Sequence, residues 1–284
     1  MIAPRPLKNS AEIASPQGET IRCDIRAPAG SRSLPVVIIC HSFMAFKDWG
    51  FFPFVADRIA GEGFVTVIFN FSRNGVSGDG DRITDFGKFS TNSFSVELGD
   101  LGSVVKAVRG GGLAAGSGDP GRIVLLGHSR GGGIAVTYAS RDPAISALAT
   151  WSAISTFNRW TPRQLDSWRK AGYLSLGAGG TAGVLSLGRG ILADIDERLP
   201  EIDPVSRAAY ITAPWMILHG KADVTVPVRE ANTLFGASPK GRTELVLLKA
   251  VGHLYNARSP DEDHYTTINH VISLTVDWLR GVTR

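Results

Sequence analysis

The sequence predicts an α/β fold: a mostly parallel, doubly wound sheet of about eight strands with a small inserted cap. Strand-length runs rich in Val and Ile alternate with amphipathic segments of helical period, which is typical of a parallel sheet covered by helices on both faces. A chain of 284 residues that is 43% hydrophobic and 20% charged can bury the core that such a fold needs. The alternation is interrupted once, between residues 157 and 210.

The predicted strands comprise one exposed strand and a set of buried ones. Residues 19–26 alternate apolar and polar side chains, as a strand with one solvent-facing side does. The later runs are continuously apolar and fit strands buried on both faces. They cover residues 34–40, 64–71, 123–126, 144–151, 214–220 and 243–248.

Helices are predicted where apolar residues recur at helical spacing. These segments cover residues 52–61, 93–109, 134–139, 228–234 and 264–280. Between residues 157 and 210 only short helical pieces occur, at 164–171 and 193–199, with the glycine-rich stretch 176–183 between them. We therefore expect residues 1–156 and 211–284 to form the core and residues 157–210 to form a mostly helical inserted cap.

Charge and cysteine content argue against several classes of function. The net charge of +4 is mild and the 30 basic residues are scattered, so we expect neither a nucleic-acid nor a membrane partner. Cys23 and Cys40 lack the spacing of metal ligands, and no glycine-rich segment carries a phosphate-binding lysine, so we expect no metal and no cofactor. The first residues contain no apolar segment of signal-peptide type, so we expect a cytoplasmic protein.

The most informative stretch is Gly127-His128-Ser129-Arg130-Gly131, which joins an apolar strand to a helical segment. A G-x-S-x-G sequence in this context is typical of a nucleophile elbow, a sharp turn that exposes a serine hydroxyl above the end of a sheet. Glycines are required beside the serine because a Cβ would collide with the neighbouring chain. Ser129 is therefore the candidate nucleophile.

A serine hydroxyl needs a general base, and the base needs an orienting acid. Among the six histidines, only His253 lies in a loop just after a late strand, preceded by a glycine. Asp223 follows the 214–220 strand in the same way, although an aspartate there could instead form a turn or cap a helix. The other position for an acid, after Trp151, offers no carboxylate.

An oxyanion hole needs two backbone N–H groups aimed at the developing negative oxygen. The first should come from Arg130, directly after the candidate nucleophile. The second should come from Phe43, in the loop that follows the 34–40 strand.

Four motifs together resemble the α/β-hydrolase superfamily, in particular dienelactone-hydrolase-like and serine-aminopeptidase-like esterases, including the cinnamoyl and feruloyl esterases. They are residues 41–43, 127–132, 219–223 and 252–253, in the order nucleophile, acid, base. Two departures stand out. Such proteins usually carry His-Gly where this chain has His41-Ser42, and dienelactone hydrolases proper use a cysteine in place of Ser129.

The resulting expectation is a serine hydrolase that cleaves carboxylic esters of short-chain or aromatic acids through an acyl-enzyme intermediate. Aromatic and sulfur side chains near the motifs could line the substrate pocket or belong to the core. They are Phe43, Met44, Phe46, Trp49, Trp151 and Tyr255.

Two alternatives stay open. A peptidase could use the same triad, with acidic residues of the predicted cap holding the free amine of its substrate. Those residues are Asp166, Asp194, Asp196, Glu197 and Glu201. An inactive hydrolase-fold binding protein is the other alternative. The oligomeric state and the physiological substrate cannot be inferred from the sequence.

Overall fold

The computed structural model describes residues 5–78, 80–178, 184–257 and 265–283. The strands in this part of the chain are β1 (Leu7–Ala14), β2 (Thr20–Ala27), β3 (Leu34–Cys40), β4 (Val65–Phe69), β5 (Gly118–His128), β6 (Ala147–Trp151), β7 (Leu174–Ala178), β8 (Val184–Leu187), β9 (Trp215–Gly220) and β10 (Thr243–Leu248). All but β7 and β8 form one eight-stranded sheet in the order β1-β2-β4-β3-β5-β6-β9-β10.

The sheet is parallel from β4 to β10 and antiparallel at the β1–β2 edge. This arrangement confirms the predicted mostly parallel, doubly wound sheet of eight strands. From β3 the chain continues to β4 on one side, and from β5 it continues to β6 on the other side. The order of connection therefore reverses between the neighbouring strands β3 and β5. In sheets of this type, ligands bind at the carboxyl ends of the strands near that reversal.

Helices cover both faces of the sheet. In the described residues they are α1 (Phe52–Gly61), α2 (Phe86–Ser90), α3 (Phe94–Arg109), α4 (Arg130–Ala139), α5 (Pro162–Ala171), α6 (Arg189–Ala193), α7 (Leu199–Ile202), α8 (Pro204–Arg207), α9 (Arg229–Ala237) and α10 (Thr266–Val282). A π-helical turn (Asp194–Arg198) joins α6 to α7, and a 3₁₀ turn (Ala208–Tyr210) follows α8.

The side chains of β3 show why its sequence is continuously apolar. Val36 and Ile38 pack into the hydrophobic cluster that contains residues of α3 and α4, whereas Val37 and Ile39 pack into the cluster of α1 and α10. Successive strand residues point to opposite faces, so a strand covered on both faces must be apolar throughout.

The structure contains a strand, β1, that the spacing of apolar residues in the sequence did not predict. β1 is largely polar and exposed, yet it pairs with β2 along its whole length, from Leu7 opposite Ala27 to Ala14 opposite Thr20. Its position is fixed by backbone pairing at the sheet edge, and side-chain patterning carries little information about such a strand.

The segment 157–210 is more varied than the predicted helical cap. Besides its helices it contains the antiparallel pair β7–β8, which lies outside the main sheet. Leu185 and Leu187 are buried at alternate positions of β8, the period of a strand with one buried face. Phe157 and Trp168 belong to the same hydrophobic cluster as side chains of β3 and β5. The boundaries of the cap stay a prediction, and residues 179–183 of the glycine-rich stretch lie outside the described residues, as does His264 of the predicted last helix.

Within the described residues, no helix combines the length and the apolar character that crossing a membrane would require.

The turn from β5 into α4 is packed against the end of β3. Ser129 occupies φ 57° and ψ −120°, a conformation that is costly for a residue with a Cβ. A Cβ on Gly127 would lie 2.4 Å from the Gly131 carbonyl oxygen, and one on Gly131 would lie 2.4 Å from the carbonyl oxygens of Cys40 and His41. The glycines therefore allow the start of α4 to touch the β3 backbone.

We predict that Gly131→Ala destabilises the fold by about 3 kcal/mol or more, because the new methyl group meets main-chain atoms that cannot move independently. Gly236→Ala in α9 is the matched control, since a Cβ there meets nothing within 4 Å. Alanine has the higher helix propensity, so that variant should be stabilised by up to about 1 kcal/mol. Urea unfolding of both variants tests the prediction, which an unchanged stability of Gly131→Ala would contradict.

Candidate active site

The side chains of Ser129, Asp223 and His253 meet at the carboxyl ends of β5, β9 and β10. Nε2 of His253 lies 3.0 Å from Oγ of Ser129, and Nδ1 of His253 lies 2.8 Å from Oδ2 of Asp223. These distances match a hydrogen-bonded line in which the carboxylate orients the imidazole and the imidazole accepts the hydroxyl proton. The three residues chosen from sequence are thus brought together.

The carboxylate of Asp223 is held in one orientation by the turn that follows it. Its Oδ1 accepts hydrogen bonds from the amides of Thr225 (3.0 Å) and Val226 (2.8 Å), while Oδ2 faces His253. Burial alone would raise the pKa of Asp223, but the hydrogen bonds from His253 and the Val226 amide outweigh it, and the pKa lies below its ordinary value. The group is therefore an anion wherever the fold is intact near neutral pH.

Two further hydroxyls belong to the surroundings of Asp223. The Ser152 side chain helps to lower the pKa of Asp223, and the buried Tyr255 hydroxyl donates to Ser152 Oγ at 3.1 Å. Sequence reasoning missed both contacts. The available signal was position, because Ser152 directly follows β6 and lies next to the strand that carries the acid.

Two buried histidines brace the loops of the site without being part of the hydrogen-bonded line. His128 donates from Nε2 to the backbone carbonyl of His253 at 3.0 Å, and His219 donates from Nε2 to the Val226 carbonyl at 2.7 Å. Burial lowers the pKa of His128 to about 3 and lowers that of His219 as well. Both imidazoles are accordingly neutral and act as fixed donors.

The candidate oxyanion donors lie on the two chain segments that touch. The start of α4 carries Arg130 and packs through Gly131 on the carbonyls at the end of β3, just before Phe43. Among the described residues, the amides of Phe43 and Arg130 donate to no other protein group. Both are therefore available to an acceptor placed beside Ser129.

His41 fixes the peptide unit that contains the Phe43 amide. Its Nε2 accepts from the Phe71 amide at 3.3 Å, so Nδ1 carries the proton and donates to the Ser42 carbonyl at 2.9 Å. The Ser42 carbonyl and the Phe43 N–H belong to one planar peptide, so orienting the first orients the second. Ser42 is itself buried.

The six candidate pocket residues divide into two groups. Phe43 and Trp49 are half-buried, and Met44 is 46% exposed in the loop beside the candidate oxyanion donor. The others lie in the core, which is the alternative that the sequence left open for them. They are Phe46, Trp151 and Tyr255, with 5%, 1% and 0% of their surface exposed.

The reason is clearest for Trp151. Its side chain points to the face of the sheet that α10 covers, where the indole N–H donates to Thr275 Oγ1 at 3.0 Å and the ring packs edge-on to Tyr255. The backbone of Trp151 does reach the elbow, since its carbonyl accepts from the Ser129 amide at 2.9 Å. The closeness of the Trp151 main chain to the site therefore does not predict the direction in which its side chain points.

Comparison with known proteins identifies the same architecture. The sequence profile of the alpha/beta hydrolase family matches residues 36–263. No curated protein matches the chain.

Solved structures of similar fold include hydrolases and esterases. Alpha/beta hydrolase GrgF from Penicillium sp. sh18 superposes with a TM-score of 0.75 at 15% identity, over 98% of this chain and 99% of that one. The esterase domain of a Rhodothermus marinus protein gives 0.66 at 15% identity, over 98% and 100%. A dienelactone-hydrolase-like protein from Klebsiella pneumoniae subsp. pneumoniae MGH 78578 gives 0.61 at 20% identity, over 96% of each chain. At these identities the likeness concerns the fold.

We predict that the protein loses stability as the pH falls from about 6.5 to about 4, in part through His41. Burial first, and then the nearby charge of Arg130, lowers the pKa of His41 from 6.5 to about 4. A histidine with a lowered folded-state pKa stabilises the fold above its unfolded pKa, and that contribution is lost as the pH falls toward the folded one. The loss attributable to His41 is about 3 kcal/mol.

His41→Asn should reduce this pH dependence, since asparagine can still donate to the Ser42 carbonyl but does not titrate. Urea unfolding between pH 4 and pH 7 measures the effect. His270→Asn on the exposed side of α10 serves as the control. An equal slope in wild type and His41→Asn would contradict the prediction.

Proposed function

We propose that this chain, which belongs to the alpha/beta hydrolase family, cleaves carboxylic esters with Ser129 as nucleophile, His253 as general base and Asp223 as orienting acid. The observation that carries the proposal is the continuous hydrogen-bonded line from Asp223 Oδ2 through His253 to Ser129 Oγ, with lengths of 2.8 and 3.0 Å.

The reaction begins when His253 Nε2 takes the hydroxyl proton and Ser129 Oγ attacks the ester carbonyl carbon. The carbonyl oxygen becomes an oxyanion, which the Phe43 and Arg130 amides stabilise, and Asp223 stabilises the imidazolium. The C–O bond to the alcohol then breaks, and the alcohol leaves with the proton from His253. Water, deprotonated by His253, attacks the acyl-enzyme, and the second collapse releases the acid and restores Ser129.

The alternative of a peptidase receives less support from the charges around the site. Holding a substrate ammonium group requires carboxylates that are free to pair with it. In the segment 157–210, Asp166 pairs with Lys170 at 2.8 Å and Asp196 pairs with Arg169, while buried Asp194 accepts from the amide of Ser95 at 2.7 Å. Most of the candidate carboxylates are thus engaged with other groups of the chain, which favours esters over peptides.

We predict that Ser129→Ala lowers kcat for p-nitrophenyl butyrate by about 10⁴-fold or more, because the nucleophile is removed. Asp223→Asn should lower it by about 10⁴-fold through loss of the correct imidazole tautomer. Ser273→Ala, on the exposed side of α10, is the matched control and should retain full activity. A fluorophosphonate probe should label wild type and not Ser129→Ala.

Full hydrolysis by Ser129→Ala would rule out this mechanism. A folded wild type that neither hydrolyses esters nor takes up the probe would instead favour the inactive binding protein.

We predict that nitrophenyl esters are hydrolysed and aminoacyl nitroanilides are not, since three of the five candidate carboxylates in the segment 157–210 are engaged with other groups. A series from acetate to octanoate, with a feruloyl ester included, measures the preferred acyl group. Met44→Ala should change the ratio of kcat/KM values within the series, because Met44 is the exposed apolar side chain next to the candidate oxyanion donor. Faster cleavage of the anilides than of every ester would overturn the ester assignment.

A further inference from the structure

The side chain of Arg130 contacts the other residue assigned to the oxyanion hole. Its guanidinium carbon lies 4.8 Å from the ring centroid of Phe43 and 4.6 Å from that of Phe94, so the cation contacts two aromatic rings. Arg130 is therefore connected to the candidate oxyanion hole in two ways. Its backbone amide is one of the two candidate donors, and its side chain contacts the ring of Phe43, whose amide is the other. The proposed hydrolase mechanism uses only the amide.

The guanidinium is held in this place by a buried ion pair. Nε of Arg130 donates to Oε2 of Glu97 at 3.0 Å, and the two side chains are 7% and 6% exposed. The other carboxylate oxygen, Oε1, accepts from the side-chain amide of Asn92 at 2.7 Å. Glu97 belongs to α3, whose apolar residues pack in the core, so the pair ties Arg130 to a rigid helix.

The aromatic side of the arrangement is equally fixed. Phe94 stacks on Phe157 with ring centroids 4.2 Å apart and planes at 17°, and Phe43 contacts Phe89 at 5.8 Å. Phe89 and Phe94 lie on helices and Phe157 is fully buried, whereas Phe43 is half-buried in the loop after β3, where its neighbour Met44 has a φ of 59°. The Phe43 ring is thus the least enclosed of these rings, and the Arg130 guanidinium is one of its contacts.

We propose that Arg130 is a positioning residue, whose Glu97-held guanidinium clamps the Phe43 ring and so keeps the Phe43 amide aligned with the Arg130 amide. This role rests on the proposed function. A buried ion pair contributes little net stability, because desolvation offsets the attraction, whereas a desolvated cation over an aromatic ring is directional. His41 orients the same peptide from the Ser42 carbonyl, so the Phe43 amide is held from both sides.

The proposal predicts a specific kinetic effect. Arg130→Met combined with Glu97→Met, which leaves no unpaired buried carboxylate, should lower kcat for p-nitrophenyl butyrate about 10- to 100-fold with little change in KM. The expected loss is part of the 10²- to 10³-fold that removing one oxyanion donor typically costs. The acid limb of the pH–rate profile should stay in place, because the line from Asp223 to Ser129 is intact.

A double-mutant cycle separates positioning from a general loss of stability. Phe43→Leu should lower kcat to a similar extent, Phe43→Tyr should retain it because the ring remains, and the Arg130/Glu97 change should have little further effect in the Phe43→Leu background. Arg207→Met is the matched control. That guanidinium lies 4.5 Å from the Tyr210 ring and donates to Ser140 Oγ outside the site, and its loss should leave kcat unchanged.

Additive losses in the cycle, or a lowered melting temperature with unchanged kcat, would overturn the positioning role while the proposed function stands. A folded wild type without Ser129-dependent hydrolysis would overturn the proposed function, and this role with it.

Discussion

The parallel pairing of β3 with β5 is the contact on which the site depends. Cys40 lies opposite Gly127, so both strands end at the same level, and the helix after β5 starts directly against the main chain that leaves β3. No side chain could be accommodated at Gly131, because the two backbones are in contact there. One pairing register therefore places the candidate nucleophile Ser129, the Arg130 amide and the Phe43 loop together, and a slip of one residue would separate all three.

The polar groups around the candidate triad divide into those that carry charge and those that are kept neutral. Asp223 is held as an anion by amides and by His253, and the cation of Arg130 is paired with Glu97. His128 and His219 serve instead as neutral donors that tie loop carbonyls in place. Their burial matters because additional positive charge beside His253 would oppose formation of the imidazolium during the reaction.

Local sequence patterns were sufficient to predict the order of strands and helices along the chain. Because the chain has few histidines, elimination among them was sufficient to choose residues that the fold brings together. Ser129, Asp223 and His253 each follow a strand, and parallel strands end at a shared edge. What could not be predicted depends on side-chain direction. Trp151 ends β6 next to the elbow but points to α10, and no sequence pattern indicates that the Arg130 side chain contacts Phe43. Strand β1 could not be predicted because its place in the sheet is fixed by backbone pairing with β2, and not by a regular spacing of apolar side chains.

The position of β10 at the edge of the sheet has a consequence for how such a protein would be inactivated by heat. β10 is the last strand of the sheet, none of its residues is fully buried, and the loop after it carries the candidate base. Ser129 directly follows the central strand β5, whose final residues are buried. Edge strands with little burial open at lower free energy than the core. Heating should therefore displace His253 while the turn at Ser129 is still intact. The rate at which hydrolysis is lost would then measure the opening of the edge strand β10, and not the unfolding of the whole protein.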